Sequence, residues 1–224
     1  AAAGKFPTQV PVLLGTNRDE GTLFAHAKSD WNQTQATEGL INQFGHELTT
    51  ALLKVYKYSD FESPYWMVTR IVGDGFMTCP ARRTARALSK AGMPVFQYFF
   101  QHELEVIKLF KPDYGVCHAS ELAFVWDLKI GLWGKGEPEL AEQFMTYWTR
   151  MAANGNPNTP IPGAHGHTPP PVIEWPVYNA TTDETMVLDI PLATQAGLKK
   201  QYCDFWDTVP IDPYQLFSGT HPPV

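Results

Sequence analysis

Apolar positions along the chain fall into short continuous runs and longer stretches of helical spacing, and the two patterns alternate. Val10 to Leu14 is a nearly continuous apolar run that stops at Gly15, the pattern of a strand buried in a parallel sheet. Pro94 to Phe100 is a second such run, rich in aromatics and too continuous for a strand with one wet face. Between them Leu40, Ile41, Phe44, Leu48, Leu52, Leu53 and Tyr56 recur at helical spacing over 38–58, with a break near Gly45. A further helix is predicted from Tyr65 to Ile71, ending around Gly73-Asp74-Gly75. The next begins with Thr78 as N-cap and Pro80 in its first turn, turns Ala81, Ala85 and Leu88 to one face, and stops before Gly92. Arg82, Arg83 and Arg86 lie off that face and read as a solvated surface.

The clearest helix runs from Glu137 to Ala153. Leu140, Phe144, Trp148, Met151 and Ala152 form its stripe, with Glu137, Glu139, Glu142 and Arg150 on polar ground. Gly155 to Pro160 and the proline-rich stretch to Pro171 read as surface loop. Trp175 to Tyr178 and Thr185 to Ile190 predict a late edge ribbon, and Leu192 to Val209 a closing helix with Leu198, Tyr202, Phe205 and Trp206 inward. With no internal repeat and no dividing linker, strands alternating with helices give an α/β class.

Two polar turns on this frame carry chemistry. Gly115-Val116-Cys117-His118-Ala119-Ser120-Glu121-Leu122 holds a histidine between apolar segments, about fifteen residues beyond the aromatic run, a connection longer than most. A rigidly held imidazole with a free ring nitrogen is a proton carrier; the bland alternative is a hydrogen-bonded structural histidine. Gly15 to Thr22 puts a carboxylate just past the first strand, where catalytic groups gather in open α/β sheets; the bland alternative is a solvated loop, or a helix start with acidic residues in its first turn. His165-Gly166-His167 has no acidic or cysteine partner in its loop and makes a poor metal site.

Composition narrows the partners. A net charge of -6 without a basic patch excludes a nucleic-acid partner on charge grounds. No apolar run approaches the roughly 18 residues of a membrane span, and Ala1 to Pro7 lacks the apolar region of a secretory leader. Cys79, Cys117 and Cys203 permit one internal disulfide with a thiol left over, or a bond to another chain. The sequons at Asn32 and Asn179 lie in turn-rich surroundings where a glycan would stand in solvent, and with a disulfide they point to a secreted, extracellular protein.

Taken together, several stretches resemble the type-B carboxylesterase and cholinesterase family of the α/β-hydrolase fold. Pro11 to Thr22 is similar to the segment with the acidic triad member, which the resemblance puts on Glu20. Gly115 to Leu122 is similar to the histidine segment, with His118 as base and Glu121 as the acidic residue that follows it. Tyr147-Trp148-Thr149, Gly155 to Asn158, Trp175 to Tyr178 and Tyr202 to Trp206 are further landmarks in the same order, so the match spans nearly the whole chain.

The family's nucleophile sits in a Gly-x-Ser-x-Gly elbow, before the acidic member, and its oxyanion loop is Gly-rich. Neither occurs between Ala1 and Val224. The resemblance therefore implies that 1–224 is the carboxyl-terminal portion of a single α/β-hydrolase domain, with a mostly parallel central sheet flanked by helices. Serine and oxyanion hole would lie on a companion chain or segment. It implies an esterase or lipase acting on small-molecule carboxylic esters, without cofactor or metal; the alternative is a non-catalytic adhesion or binding module. It also implies that Leu23 and Phe24 border the substrate pocket, Leu23 weighing against choline esters, and that Cys79 pairs with Cys203. Cys117 would remain a free thiol, and Asp74 and Lys199 an ion pair near the bridge.

Overall fold

The two apolar runs pair side by side. The computed structural model describes residues 10–128, 130–162 and 169–210. In it β1 (Val12–Asn17) runs parallel to β2 (Val95–Phe100), Val12 opposite Val95 and Asn17 opposite Phe100. β3 (Glu184–Leu188) adds parallel to β2, and β4 (Ala193–Ala196) adds antiparallel to β3, giving the order β1-β2-β3-β4. The sheet is thus mostly parallel and flanked by helices, as the alternation of patterns predicts. β1 runs past Gly15 to Asn17 because the missing side chain of Gly15 admits the Tyr98 ring, whose carbon would stand 2.3 Å from a Cβ there.

β2 reads as continuously apolar because both of its faces are covered. Phe96 and Phe100 face a core shared with Phe124, Phe144, Tyr147, Trp175, Met186 and Leu188, under α5 (Leu122–Val125) and α6 (Glu137–Asn154). Val95 on the other face meets Ala85 of α3 (Cys79–Lys90) and Tyr178. A third cluster lies among α1 (Gln33–Val55), α2 (Pro64–Gly73) and α7 (Lys200–Trp206) around the disulfide between Cys79 and Cys203. Beside it Lys199 Nζ stands 3.1 Å from Asp74 Oδ1, Tyr56 Oη donates to Asp74 and Trp206 Nε1 donates to Tyr56.

Several elements differ from the sequence pattern, each for a physical reason. α1 begins five residues early because Asn32 and Gln35 close a reciprocal capping box, and it is kinked at Gly45, φ 77°. Gly73-Asp74-Gly75 does not end a helix. The chain passes through a π-helical turn, Asp74–Thr78, straight into α3, and Thr78 is helical rather than an N-cap. The glycines there serve close approach: a Cβ on Gly73 would lie 2.8 Å from the Gly21 nitrogen, and one on Gly75 2.8 Å from the Trp206 ring.

Arg82 is not solvated but buried. Its guanidinium donates to Asp183 at 2.6 Å and to Asp204 at 3.1 Å. Arg83 and Arg86 both hold Asp207. Glu137 is likewise buried rather than on polar ground, accepting from the Gly134 and Glu105 backbone N–H groups. The connection before His118 contains α4 (Glu105–Phe110) and a 3-10 turn, Pro112–Tyr114. Trp175 to Tyr178 is no strand of the late ribbon; Trp175 Nε1 donates to Gln97 O and the Tyr178 N–H to Val95 O. The ribbon's second strand is β4, from the segment predicted helical, so α7 is confined to seven residues. His165-Gly166-His167 lies outside the described residues.

Candidate active site

Both chemistry-bearing turns stand past the carboxyl ends of β1 and β2. Glu20 opens the 3-10 turn Glu20–Leu23, three residues after β1, and this turn sits directly on α2. Gly21 makes the seating possible: a Cβ there would stand 2.0 Å from Thr69 O. The histidine turn lies against it through a reciprocal pair, in which the Asp19 N–H donates to Val116 O (3.0 Å) and the Val116 N–H to Asp19 Oδ2 (2.9 Å). Gly115, φ 54°, is required at this approach, since a Cβ would lie 2.5 Å from Asp19 Oδ2.

Asp19 is fully buried, with Arg70 Nε at 2.5 Å and Arg18 Nε at 2.8 Å. Burial pushes its carboxyl up, but Arg70 and Arg18 outweigh burial and hold it below the usual carboxylate range. It is an anionic staple between the turns.

The turns bring His118 and Glu20 together, with His118 Nδ1 2.6 Å from Glu20 Oε2. The other Glu20 oxygen accepts the Asn17 backbone N–H at 2.8 Å. Burial raises the Glu20 carboxyl above its ordinary value, the Asn17 N–H and His118 oppose this, and Glu121 adds to it. The His118 side chain is 48% exposed and that of Glu20 only 6%. A carboxylate at Nδ1 fixes the proton on that nitrogen and leaves Nε2 as an open acceptor. Such a pair has the geometry in which an imidazole can act as a general base oriented by an acid.

The Phe24 ring meets the His118 ring edge-on at 5.3 Å, whereas Leu23 is exposed. Cys117 is a free, buried thiol pushed up by that burial, the opposite of an activated nucleophile. Ser120 Oγ donates to Cys117 O at 2.7 Å. Ala119 adopts φ 69°, a left-handed conformation uncommon outside glycine, so the histidine turn is held against local strain. Asn32 and Asn179 are both exposed, and Asn179 Oδ1 accepts the Thr181 N–H. Among the described residues no group of three or more His, Cys, Asp or Glu could hold a metal ion, and no helix is long and apolar enough to cross a membrane.

Sequence reasoning missed Asn17, Arg18, Asp19 and Arg70. Asn17, Arg18 and Asp19 read as ordinary loop polar residues, and Arg70 comes from a helix fifty residues away. The only signal was the placement of three polar residues immediately beyond a buried strand.

The family model described as the carboxylesterase family matches residues 1–206. An acetylcholinesterase of Bungarus fasciatus is 29% identical over 92% of this chain and 36% of its own length. Carboxylesterase 5A of Canis lupus familiaris is 32% identical over 69% of this chain and 27% of its own length, and the Homo sapiens protein of that name 34% identical over 63% and 24%. The chain thus spans a quarter to about a third of the length of these relatives.

Proposed function

The chain belongs to the carboxylesterase family, and from that premise we propose that it supplies the base and the acid of a serine hydrolase of carboxylic esters. Nucleophile and oxyanion hole would come from a companion segment or chain of the same hydrolase domain. The observation that carries this reading is the 2.6 Å contact of His118 Nδ1 with a nearly buried Glu20.

A serine hydroxyl is a weak nucleophile at neutral pH until a base removes its proton during attack. His118 Nε2 takes that proton as the serine oxygen bonds to the ester carbonyl carbon. The resulting imidazolium, stabilised by Glu20, returns the proton to the departing alcohol. Water then enters, gives a proton to His118 and attacks the acyl-serine. The acyl–serine bond breaks, His118 returns its proton to the serine oxygen, and the carboxylic acid leaves. Phe24 would wall the substrate side of His118 together with the exposed Leu23, an aliphatic neighbour that favours general esters over choline esters. The disulfide and exposed sequons at Asn32 and Asn179 support a secreted glycoprotein.

Labelling the native preparation with a fluorophosphonate, followed by mass mapping, tests the reading. The expected adduct is on a serine of the companion segment and is lost in His118→Ala. No adduct anywhere, with that segment present and folded, would replace the esterase with a non-catalytic binding module.

A further inference from the structure

We infer that Asn17 is a positioning residue, which through one backbone and two side-chain hydrogen bonds sets the distance between His118 and Glu20. The inference rests on the esterase reading for its catalytic consequence but not for its geometry. Asn17 is the last residue of β1, buried, and paired in register with Phe100 at the end of β2. Its backbone N–H fixes Glu20 Oε1 at 2.8 Å. Its side-chain Nδ2 donates to Cys117 O at 2.8 Å and to Glu121 Oε2 at 2.5 Å, one residue before and three after His118. One strand-end residue therefore holds the acid through its main chain and the base's turn through its amide.

Chemistry settles the amide orientation. Both neighbours are oxygens that can only accept, so the NH2 group must face them and Oδ1 points elsewhere. Among the described residues, that Oδ1 is buried without a hydrogen-bond partner. A buried acceptor left unmet is unfavourable, and a residue chosen for stability alone would not carry one. Asn17 also touches two carboxylates, Glu20 through its backbone N–H and Glu121 through its amide. Its dipole offers hydrogen to Glu121 while the backbone offers hydrogen to Glu20, so both acids approach the same strand end.

Asp19 staples the two turns together through Val116, and Asn17 adds a hold on the residues that flank His118 itself. The imidazole is half exposed, so packing on one side cannot fix it, and Ala119 beside it is in a strained conformation. A hydrogen bond to the carbonyl preceding His118 fixes the turn's backbone instead, with Ser120 Oγ sharing that carbonyl. Active sites need their groups held within a few tenths of an ångström.

The test compares Asn17→Ala and Asn17→Asp with the wild type, using the full protein with its serine-bearing part. Asn17→Asp keeps the shape, removes both donated hydrogens and adds a carboxylate. The expected result is a kcat lower by on the order of 10²-fold with KM changed by less than about twofold. The strongly deshielded proton-NMR signal of the His118 Nδ1–H would be lost, and in Asn17→Asp the acid limb of the pH–rate profile would move to higher pH. Folded variants that keep the downfield proton and the wild-type kcat would overturn the inference. A lowered Tm with proton, kcat and pH profile unchanged would overturn it equally, by reducing Asn17 to a stabilising residue. If Asn17→Ala does not fold, the isosteric Asn17→Asp decides. Wild type without ester hydrolysis would sink the esterase reading alone, because the downfield proton still reports on Asn17.

Discussion

Arg82 shows how much of a residue's role is set by partners far along the chain. Its guanidinium grips Asp183 through two nitrogens and Asp204 through a third, and the Tyr178 hydroxyl also donates to Asp183. Truncation would leave Asp183 charged and buried, so Arg82→Ala should cost about 3–5 kcal/mol. Arg83→Ala, which loses a half-exposed pair with Asp207, should cost less than about 1 kcal/mol. Equal unfolding midpoints for the two variants would refute that ranking. Helical spacing took these arginines off the apolar face, yet Arg82 is buried in α3 with Cys79 and Ala85, and spacing could not see carboxylates a hundred residues later. His102 was missed for the same reason. Its ring lies 3.2 Å from both Asp189 and Glu137, with Gln101 also on Asp189 and the Phe124 ring edge-on. Burial pulls its pKa down, but the two carboxylates outweigh burial and raise it above its ordinary 6.5. A raised folded pKa contributes stability that is complete below about 6.5 and is lost as pH rises through the folded value. The wild type should therefore lose more stability than His102→Asn between pH 6 and pH 9, and parallel pH–Tm curves would show that the clasp contributes nothing.

At the scale of elements, the site depends on one backbone-to-backbone seat, where the Glu20–Leu23 turn rests on the junction of α2 with the π-helical turn. Gly21 and Gly73 face each other there, and neither tolerates a Cβ because the opposing atoms are backbone and cannot swing away. Gly73→Ala should destabilise by about 1–3 kcal/mol and, on the proposed esterase function, lower ester hydrolysis by displacing Glu20. Unchanged Tm together with unchanged kcat would show that the seat yields. The sequence announced Gly73 only as a helix stop, since a glycine needed for close approach and one needed for a turn look alike in one dimension. β2 and α6 were legible because each has a strong period and a covered face. β4 was not, for Ala193–Ala196 is short, wholly exposed and without pattern, and its place follows only from pairing with β3. The bond between Cys79 and Cys203 joins α3 to α7 across 124 residues of sequence. Such a loop implies about 4–5 kcal/mol in the chain-entropy account. Replacing both cysteines by alanine should lower the midpoint while leaving Cys117 untouched, and no change in stability would mean that packing among the helices already supplies the constraint.

For the molecule as a whole, β1 and β4 are the edge strands of the sheet among the described residues, and the β1 edge lies beside the candidate site. The Val12 N–H donates to Pro94 O and the Arg18 N–H to Phe100 O, so with a strand's period of two Leu14 and Thr16 also face β2. Leu13 and Gly15 face outward, and the outward N–H of Asn17 is taken by Glu20. An edge reading Val-Leu-Leu-Gly-Thr-Asn, with no charge and no proline, is the kind that soluble proteins keep covered. The residues of β1 nearest this edge are only half-buried, while most of β2 is buried. Large apolar side chains also stand exposed past the histidine turn, with Trp126 at 70%, Trp133 at 59% and Ile130 at 94%. Pattern alone could not reveal this, because a run of apolar residues reads the same whether its edge is paired or open. Hydrogen exchange resolves the two cases residue by residue. In this chain alone, the amides of Leu14 and Thr16 should exchange slowly and those of Leu13 and Gly15 fast. In a preparation holding the serine-bearing part, a neighbouring strand would slow all four. If Leu13 and Gly15 stay fast there, the proposed companion segment does not extend the sheet at β1. If they are slow in this chain alone and become fast on dilution, the edge is closed by a second copy, and the apolar surface beyond His118 should be sought in that dimer.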